Sequence, residues 1–156
     1  MTAERHGKLF SSEARARVLA VAESWIGTPF HDGAQIHGTG VDCAHLIAAV
    51  YEGAGLIEKV EIESYPPTWF IHRGEERFLA YLDRYMRPID ERQAGPGDTA
   101  IWRMGRAFGH AAIVVAWPQA IIHAWKPGRR VLRDTALNGH LRTREVRFYS
   151  PNRADW

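Results

Sequence analysis

GPGDTAIWRMGRAFGHAAIVVAWPQAIIHAW, residues 95–125, is where the chain changes its period. Gly95, Pro96, Gly97 and Asp98 are turn residues. After them come short runs rich in Val, Ile, Trp and Phe: TAIWRM (99–104), HAAIVVA (110–116) and AIIHAW (120–125). RRVLRD (129–134) and REVRFYS (144–150) continue the pattern, so the second half reads as an antiparallel sheet. Trp117, Pro118 and Gln119 form a tight connection between two of these runs. His110 and His123 then stand nearly opposite each other on a hairpin, where a period of two can aim both rings at one face.

Working outward toward the N-terminus, the period becomes helical. Ala14, Val18, Val21, Ala22, Trp25 and Ile26 recur at helical spacing, with Ser12 as the expected cap, Glu13 at the positive helix start and Gly27 at the stop. Residues 27–41 (GTPFHDGAQIHGTGV) hold four glycines and a proline without periodicity and read as an ordered loop. From Asp42, the residues Leu46, Ile47, Val50 and Tyr51 mark a second helix closed by Gly53 and Gly55, with Cys43 in its first turn. Tyr65, Pro66 and Pro67 break the chain, and Phe78, Leu79, Leu82, Tyr85 and Met86 predict a third helix that stops before Pro88. Helices followed by strands predict an α+β fold, with a helical layer on one side of the sheet.

The 156 residues, 46% hydrophobic and 24% charged, fit a single domain spanning 1–156. A chain of that size buries roughly 70% of its unfolded surface and needs no disulfide or structural metal. No apolar run approaches the roughly 18 residues of a membrane span, so membrane insertion is not expected. The start, MTAERHGKLFSSEARAR, lacks the apolar stretch of a secretion signal, so synthesis in the cytoplasm is expected. Cys43 is the only cysteine, which excludes an internal disulfide. A formal charge of +2 is too small for a dedicated nucleic-acid binder. The imbalance is local: Lys126, Arg129, Arg130, Arg133, Arg142, Arg144, Arg147 and Arg153 face only Asp134 and Glu145, eight against two, a net of +6. Such a strip can meet an acidic partner, although arginines on the wet face of strands give the same pattern.

A cysteine becomes a nucleophile when its thiolate is stabilised, and a helix N-terminus with a nearby imidazole does this. Cys43 has the helix start by position. Asp42 opposes ionisation unless its carboxylate turns to cap the helix. The imidazole can come from His110 or His123, and with both rings on one face His110 can act as base toward Cys43 while His123 holds the far ring nitrogen, which is the orienting logic of a triad. A lone thiol also serves as buried filler, and a strand histidine as a structural group.

GTPF (27–30), GTGVDCAHLIAAVYEGAGL (38–56), AGPGDTAIW (94–102), GHAAIVV (109–115) and IIHA (121–124) together resemble the NlpC-type cysteine peptidases, papain-like enzymes that cut bacterial cell-wall peptides. The resemblance runs from residue 17 to about 131. It implies a helix-borne cysteine packed on a five- or six-stranded antiparallel sheet, with Cys43 as nucleophile, His110 as general base and His123 as third member. It implies a peptidoglycan stem-peptide substrate, commonly cut between D-glutamate and diaminopimelate, an oxyanion held by the backbone N–H groups at the helix start, and no metal or organic cofactor. Phe30, His31, Asp32, Asp42 and Ala44, which flank the cysteine in the loop and at the helix start, are the expected substrate-binding residues.

Two positions depart from the family pattern. Phe30 stands where many members carry a tyrosine whose hydroxyl serves the site, and Ala44–His45 stand where many carry Ser-Gly. His45, two residues beyond Cys43, falls on roughly the opposite side of a regular helix and is expected to be a packed or rim residue. The insert YPPTWFIHRGEERFLAYLDRYM (65–86) resembles the phage-tail branch of the family, including gene-transfer-agent particles, which implies tail or baseplate partners and delivery by the particle. Three alternatives remain open at this point. They are a catalytically silent tail-tip module, a zinc site built from Cys43, His45, His110 and His123, and acyl transfer or amidase chemistry through the same acyl-enzyme.

Overall fold

The computed structural model describes residues 10–62 and 76–151, and in it three helices lie against a six-stranded antiparallel sheet. The break at Tyr65–Pro67 and the insert as far as residue 75 lie outside the described residues. Helix α1 spans Ser12–Ser24, and its cap is Ser11 rather than Ser12: the Ser11 hydroxyl accepts from the Ala14 N–H at 3.1 Å. Ala14, Val18 and Ala22 form its buried stripe. The helix ends two residues before the expected Ile26, and the chain turns at Gly27 with φ of 93°.

The stretch 27–41, expected as loop, carries a two-residue ribbon, β1 (Gln35–Ile36) against β2 (Gly40–Val41). Strands this short leave no alternation to read. Isolated bridges from Pro29 to Arg130 and from Phe30 to Val41 pin the loop to the sheet edge and to the ribbon.

Helix α2, Cys43–Gly53, is as the sequence predicts, with Asp42 as its cap. Leu46 through Tyr51 are buried. A Cβ at Gly53 would fall 2.9 Å from Val21 Cγ1, so the two helices cross where a side chain is missing. The Tyr51 hydroxyl donates to the Gly97 carbonyl at 2.6 Å and meets Thr99 Oγ1 at 2.8 Å, tying α2 to the first long strand.

Helix α3 spans Arg77–Tyr85, and the chain passes directly into β3, Met86–Ile89. Pro88, read above as a stop, sits inside this strand. It is tolerated because β3 is the sheet edge and pairs with one neighbour only. Then come β4 (Thr99–Met104), β5 (Ala107–Ala116), β6 (Ala120–Trp125), β7 (Arg130–Asp134) and β8 (Val146–Pro151), in spatial order β3-β8-β4-β5-β6-β7. In β5 every residue from Ala107 to Val114 is buried. Ala111 and Ile113 pack with the helices, while Ala112 and Val114 pack on the other face with Trp102, Leu141 and Phe148. At the turn before β4 the buried Asp98 carboxylate accepts from Ser150 Oγ (2.6 Å), Gly95 N–H (2.8 Å) and Arg15 Nη1 (3.2 Å). Among the described residues no helix is long and apolar enough to cross a membrane.

Four of the eight cations of the basic strip are engaged within the chain. Arg133 pairs with Glu23 at 2.6 Å, Lys126 with Asp32 at 3.4 Å, Arg147 lies over the Phe108 ring, and Arg144 Nε donates to the His140 carbonyl. Arg153 lies outside the described residues.

Candidate active site

Cys43 is the first residue of α2, and the Asp42 side chain fixes that helix start. Asp42 Oδ1 accepts from the His45 N–H at 2.9 Å and meets the His45 ring at Nδ1 (2.7 Å), while Oδ2 accepts from the Gly33 N–H at 2.8 Å. The carboxylate therefore does turn to cap, as its residue type favours. The backbone N–H groups of Ala111, Ala44 and Cys43 itself lower the thiol pKa, and the sulfur donates weakly to the Gly109 carbonyl at 3.5 Å. These groups do not outweigh burial. Burial, with the Asp42 charge added, pushes the thiol up to about 12, against the lowering that a helix N-terminus alone would give.

The two strand histidines meet, but diagonally rather than opposite. The β5/β6 ladder pairs Ile113 with Ile122. Continuing that register sets His110 level with Trp125, and His123 one pleat away on the same face. His110 Nε2 lies 2.8 Å from His123 Nδ1. His110 pairs with Trp102 across β4, and its ring packs between those of Trp102 (centroids 5.9 Å apart) and Trp125 (5.0 Å). Burial holds His110 well below the usual imidazole range, with His123 and Arg144 adding to the effect, and burial lowers His123 as well, partly offset by Asp134. Both rings are therefore neutral near pH 7.

The chain of contacts does not stop at His123. Its Nε2 lies 3.0 Å from Asp134 Oδ2, at the end of β7. Sequence reasoning counted Asp134 only as a charge. The signal was an acid at the end of the strand run RRVLRD, but the register that places it diagonal to His123, which pairs with Leu132, could not be read without knowing how the β6–β7 turn closes.

Cys43 and His110 both line a cavity of about 710 Å³. Its wall is mostly apolar, with Ile47, Ile57, Val60, Phe78, Leu82, Met86, Met104 and Trp125, and charged side chains Asp32, Asp42, Arg77, Arg84 and Lys126 also border it. Of the expected substrate-binding residues, Phe30, Asp32, Asp42 and Ala44 are on this wall. His31 is not: its ring is exposed and turned to the Asp32 carbonyl, with Nδ1 at 3.1 Å. His45 is half-buried at the helix start, held by Asp42, and is absent from the cavity wall. Among the described residues no three His, Cys, Asp or Glu side chains gather as a metal-holding group.

A half-buried thiol at a helix start, facing a cavity beside a buried imidazole pair, is an arrangement that can carry acyl transfer. No protein-family model and no curated protein sequence matches the chain. Solved structures do. NlpC1 from Trichomonas vaginalis superposes with a TM-score of 0.63 at 16% identity, covering 90% of this chain and 44% of its own. The NlpC/p60 domain of the peptidoglycan hydrolase SagA gives 0.55 at 22% identity, covering 85% of this chain and 96% of that domain. This is the NlpC/p60 fold. The peptidoglycan hydrolase RipB from Mycobacterium tuberculosis has it too, with a TM-score of 0.60 at 16% identity, covering 90% of this chain and 65% of its own. The chain spans less than half the length of NlpC1 and nearly all of the SagA domain, so the NlpC/p60 fold seen here is a domain-sized part of the longer protein.

Proposed function

We propose that this chain is a cysteine peptidase acting on peptidoglycan stem peptides. The observation that carries the reading is the joint presence of Cys43 and His110 on one cavity wall, with His110 Nε2 already held by His123. The NlpC/p60 fold supports the substrate class, and the five motifs quoted above support the D-glutamyl to diaminopimelate amide as the bond cut.

Because the resting thiol and both imidazoles are neutral, the reaction starts by general-base catalysis rather than from a stored ion pair. As Cys43 Sγ attacks the amide carbonyl, the thiol proton passes to His110. The oxyanion is held by N–H groups at the start of α2. His110 then gives its proton to the leaving amine, the C–N bond breaks, and water hydrolyses the acyl-enzyme with His110 again as base. Arg77, Arg84 and Lys126 on the cavity wall suit the carboxylates of a stem peptide.

Mass spectrometry of purified peptidoglycan fragments after incubation with the protein and with Cys43→Ala tests this. Newly released stem peptides are expected only with Cys43 present, and their masses name the bond. Release by both proteins, or by neither, refutes the reading. A second reading, a silent structural module, is favoured by the elevated thiol pKa and by Phe30, whose bare ring lines the cavity where the family's tyrosine would bring a hydroxyl. Placement at a phage-like tail tip rests on the sequence resemblance alone. Its test is whether antibody to the chain labels purified particles at the tail end, and finding the chain only outside particles would contradict it.

A further inference from the structure

A contact chain leads from the cavity through His110 and His123 to Asp134, and it fixes more than position. Asp134 is held by three donors: the Thr135 N–H reaches Oδ1 at 2.7 Å, and Asn138 Nδ2 (3.2 Å) and His123 Nε2 (3.0 Å) reach Oδ2. An ionised carboxylate only accepts, so His123 must carry its proton on Nε2. A neutral imidazole has one N–H, which leaves His123 Nδ1 a bare acceptor. The 2.8 Å contact then requires His110 to donate from Nε2, leaving His110 Nδ1 bare. Nδ1 has no hydrogen-bond partner among the described residues, and His110 lines the cavity together with the thiol.

We propose that Asp134 is a positioning residue that sets the tautomers of both histidines and so leaves the lone pair of His110 Nδ1 available as the base, two hydrogen bonds away from the carboxylate. The proposal deepens the peptidase reading and rests on it for the role of His110. In the step itself the Sγ–H bond breaks and an Nδ1–H bond forms, giving an imidazolium at His110 that still donates from Nε2 to His123. No proton leaves His123, and none reaches Asp134. The charged groups that act on this pair are Asp134 from β7 and Arg144 from the loop before β8, besides the two histidines on each other, and the Cys43 thiol of α2 shares the cavity wall with His110. Both rings are nearly or fully buried, at 6% and 0% exposure, and their lowered basicity keeps the resting pair neutral, the state in which the tautomer argument holds.

Nitrogen-15 NMR of the histidine rings in the intact chain at pH 7.5 tests it, without any substrate. In the wild type, His110 and His123 are expected to show a protonated Nε2 and a bare Nδ1. In Asp134→Asn, of equal size, and in Asp134→Ala, that single tautomer is lost and His110 Nδ1 gains a proton in part of the population. With a stem-peptide substrate, Asp134→Asn should lower kcat by about a hundredfold or more, as wrong-tautomer variants of catalytic triads do, with KM within about twofold. A wild-type proton on Nδ1 of His123 overturns the proposal even if neither variant folds. So do tautomers unchanged in Asp134→Asn, or a kcat unchanged when the tautomers do switch. A chain that cuts no peptidoglycan refutes the peptidase reading instead and leaves the ring spectra to decide this one.

Discussion

At Cys43 four influences compete, and their balance decides how the thiol behaves. The helix start and three backbone N–H groups favour the thiolate, whereas burial and the Asp42 carboxylate favour the thiol, and the second pair wins. Asp42→Asn removes the charge and keeps a side-chain oxygen for the helix cap. The thiol should then ionise at lower pH, and alkylation of Cys43 by iodoacetamide at pH 8 should speed up by severalfold, read by mass spectrometry of the modified chain. An unchanged rate would mean the carboxylate is screened from the sulfur. The triad candidates were legible from the sequence at this scale because each is a rare type in a telling place: one thiol in a helix first turn and two histidines at like parity on neighbouring strands. Asp134 was not legible, because an acid ending an arginine-rich strand looks like any other surface charge until the β6/β7 register is known.

Among the elements, the crossing of α1 and α2 is the contact that sets the cysteine helix on the sheet. Gly53 ends α2, and alanine there would gain up to about 1 kcal/mol of helix propensity. A Cβ would also sit 2.9 Å from Val21 Cγ1, and overpacking of this kind costs about 1–3 kcal/mol. Gly53→Ala is therefore expected to lower stability in urea unfolding, and Val21→Ala in the same chain to recover most of the loss. Additive effects of the two changes would show that the contact does not limit the packing. Of the strand runs in the second half, β4 and β6 have the predicted ends, β7 starts one residue late and β8 two, and β5 starts three residues before the expected His110. The ribbon β1–β2 and the edge strand β3 were not readable, one because two residues carry no period, the other because Pro88 is a stop signal everywhere except on an edge.

For the molecule as a whole, burying two neutral imidazoles makes folding sensitive to acid. The pKa values of His110 and His123 lie below the usual 6.5 in the folded chain. Their contribution is present in full above about pH 6.5, and is lost as pH falls toward the folded values, because the unfolded chain binds the protons first. Each group contributes a slope of up to about 1.4 kcal/mol per pH unit over that range. Urea unfolding between pH 7.5 and 5 should show stability falling with acid, and His110→Gln should flatten the fall; equal slopes in both proteins would place the acid sensitivity elsewhere. The α+β layering was legible at this scale from the helical first half and the strand-rich second half. The cavity was not, because it forms between residues of α2, α3 and four strands that are far apart in the chain.

Whether Cys43 forms an acyl-enzyme at this cavity is decided by intact-protein mass spectrometry after acid quench of a mixture with a stem peptide. A transient gain in mass equal to the acyl half of the cut peptide is expected, located on Cys43 and absent from Cys43→Ala. Cleavage of the peptide that persists in Cys43→Ala, or the absence of both adduct and cleavage in the wild type, would contradict it.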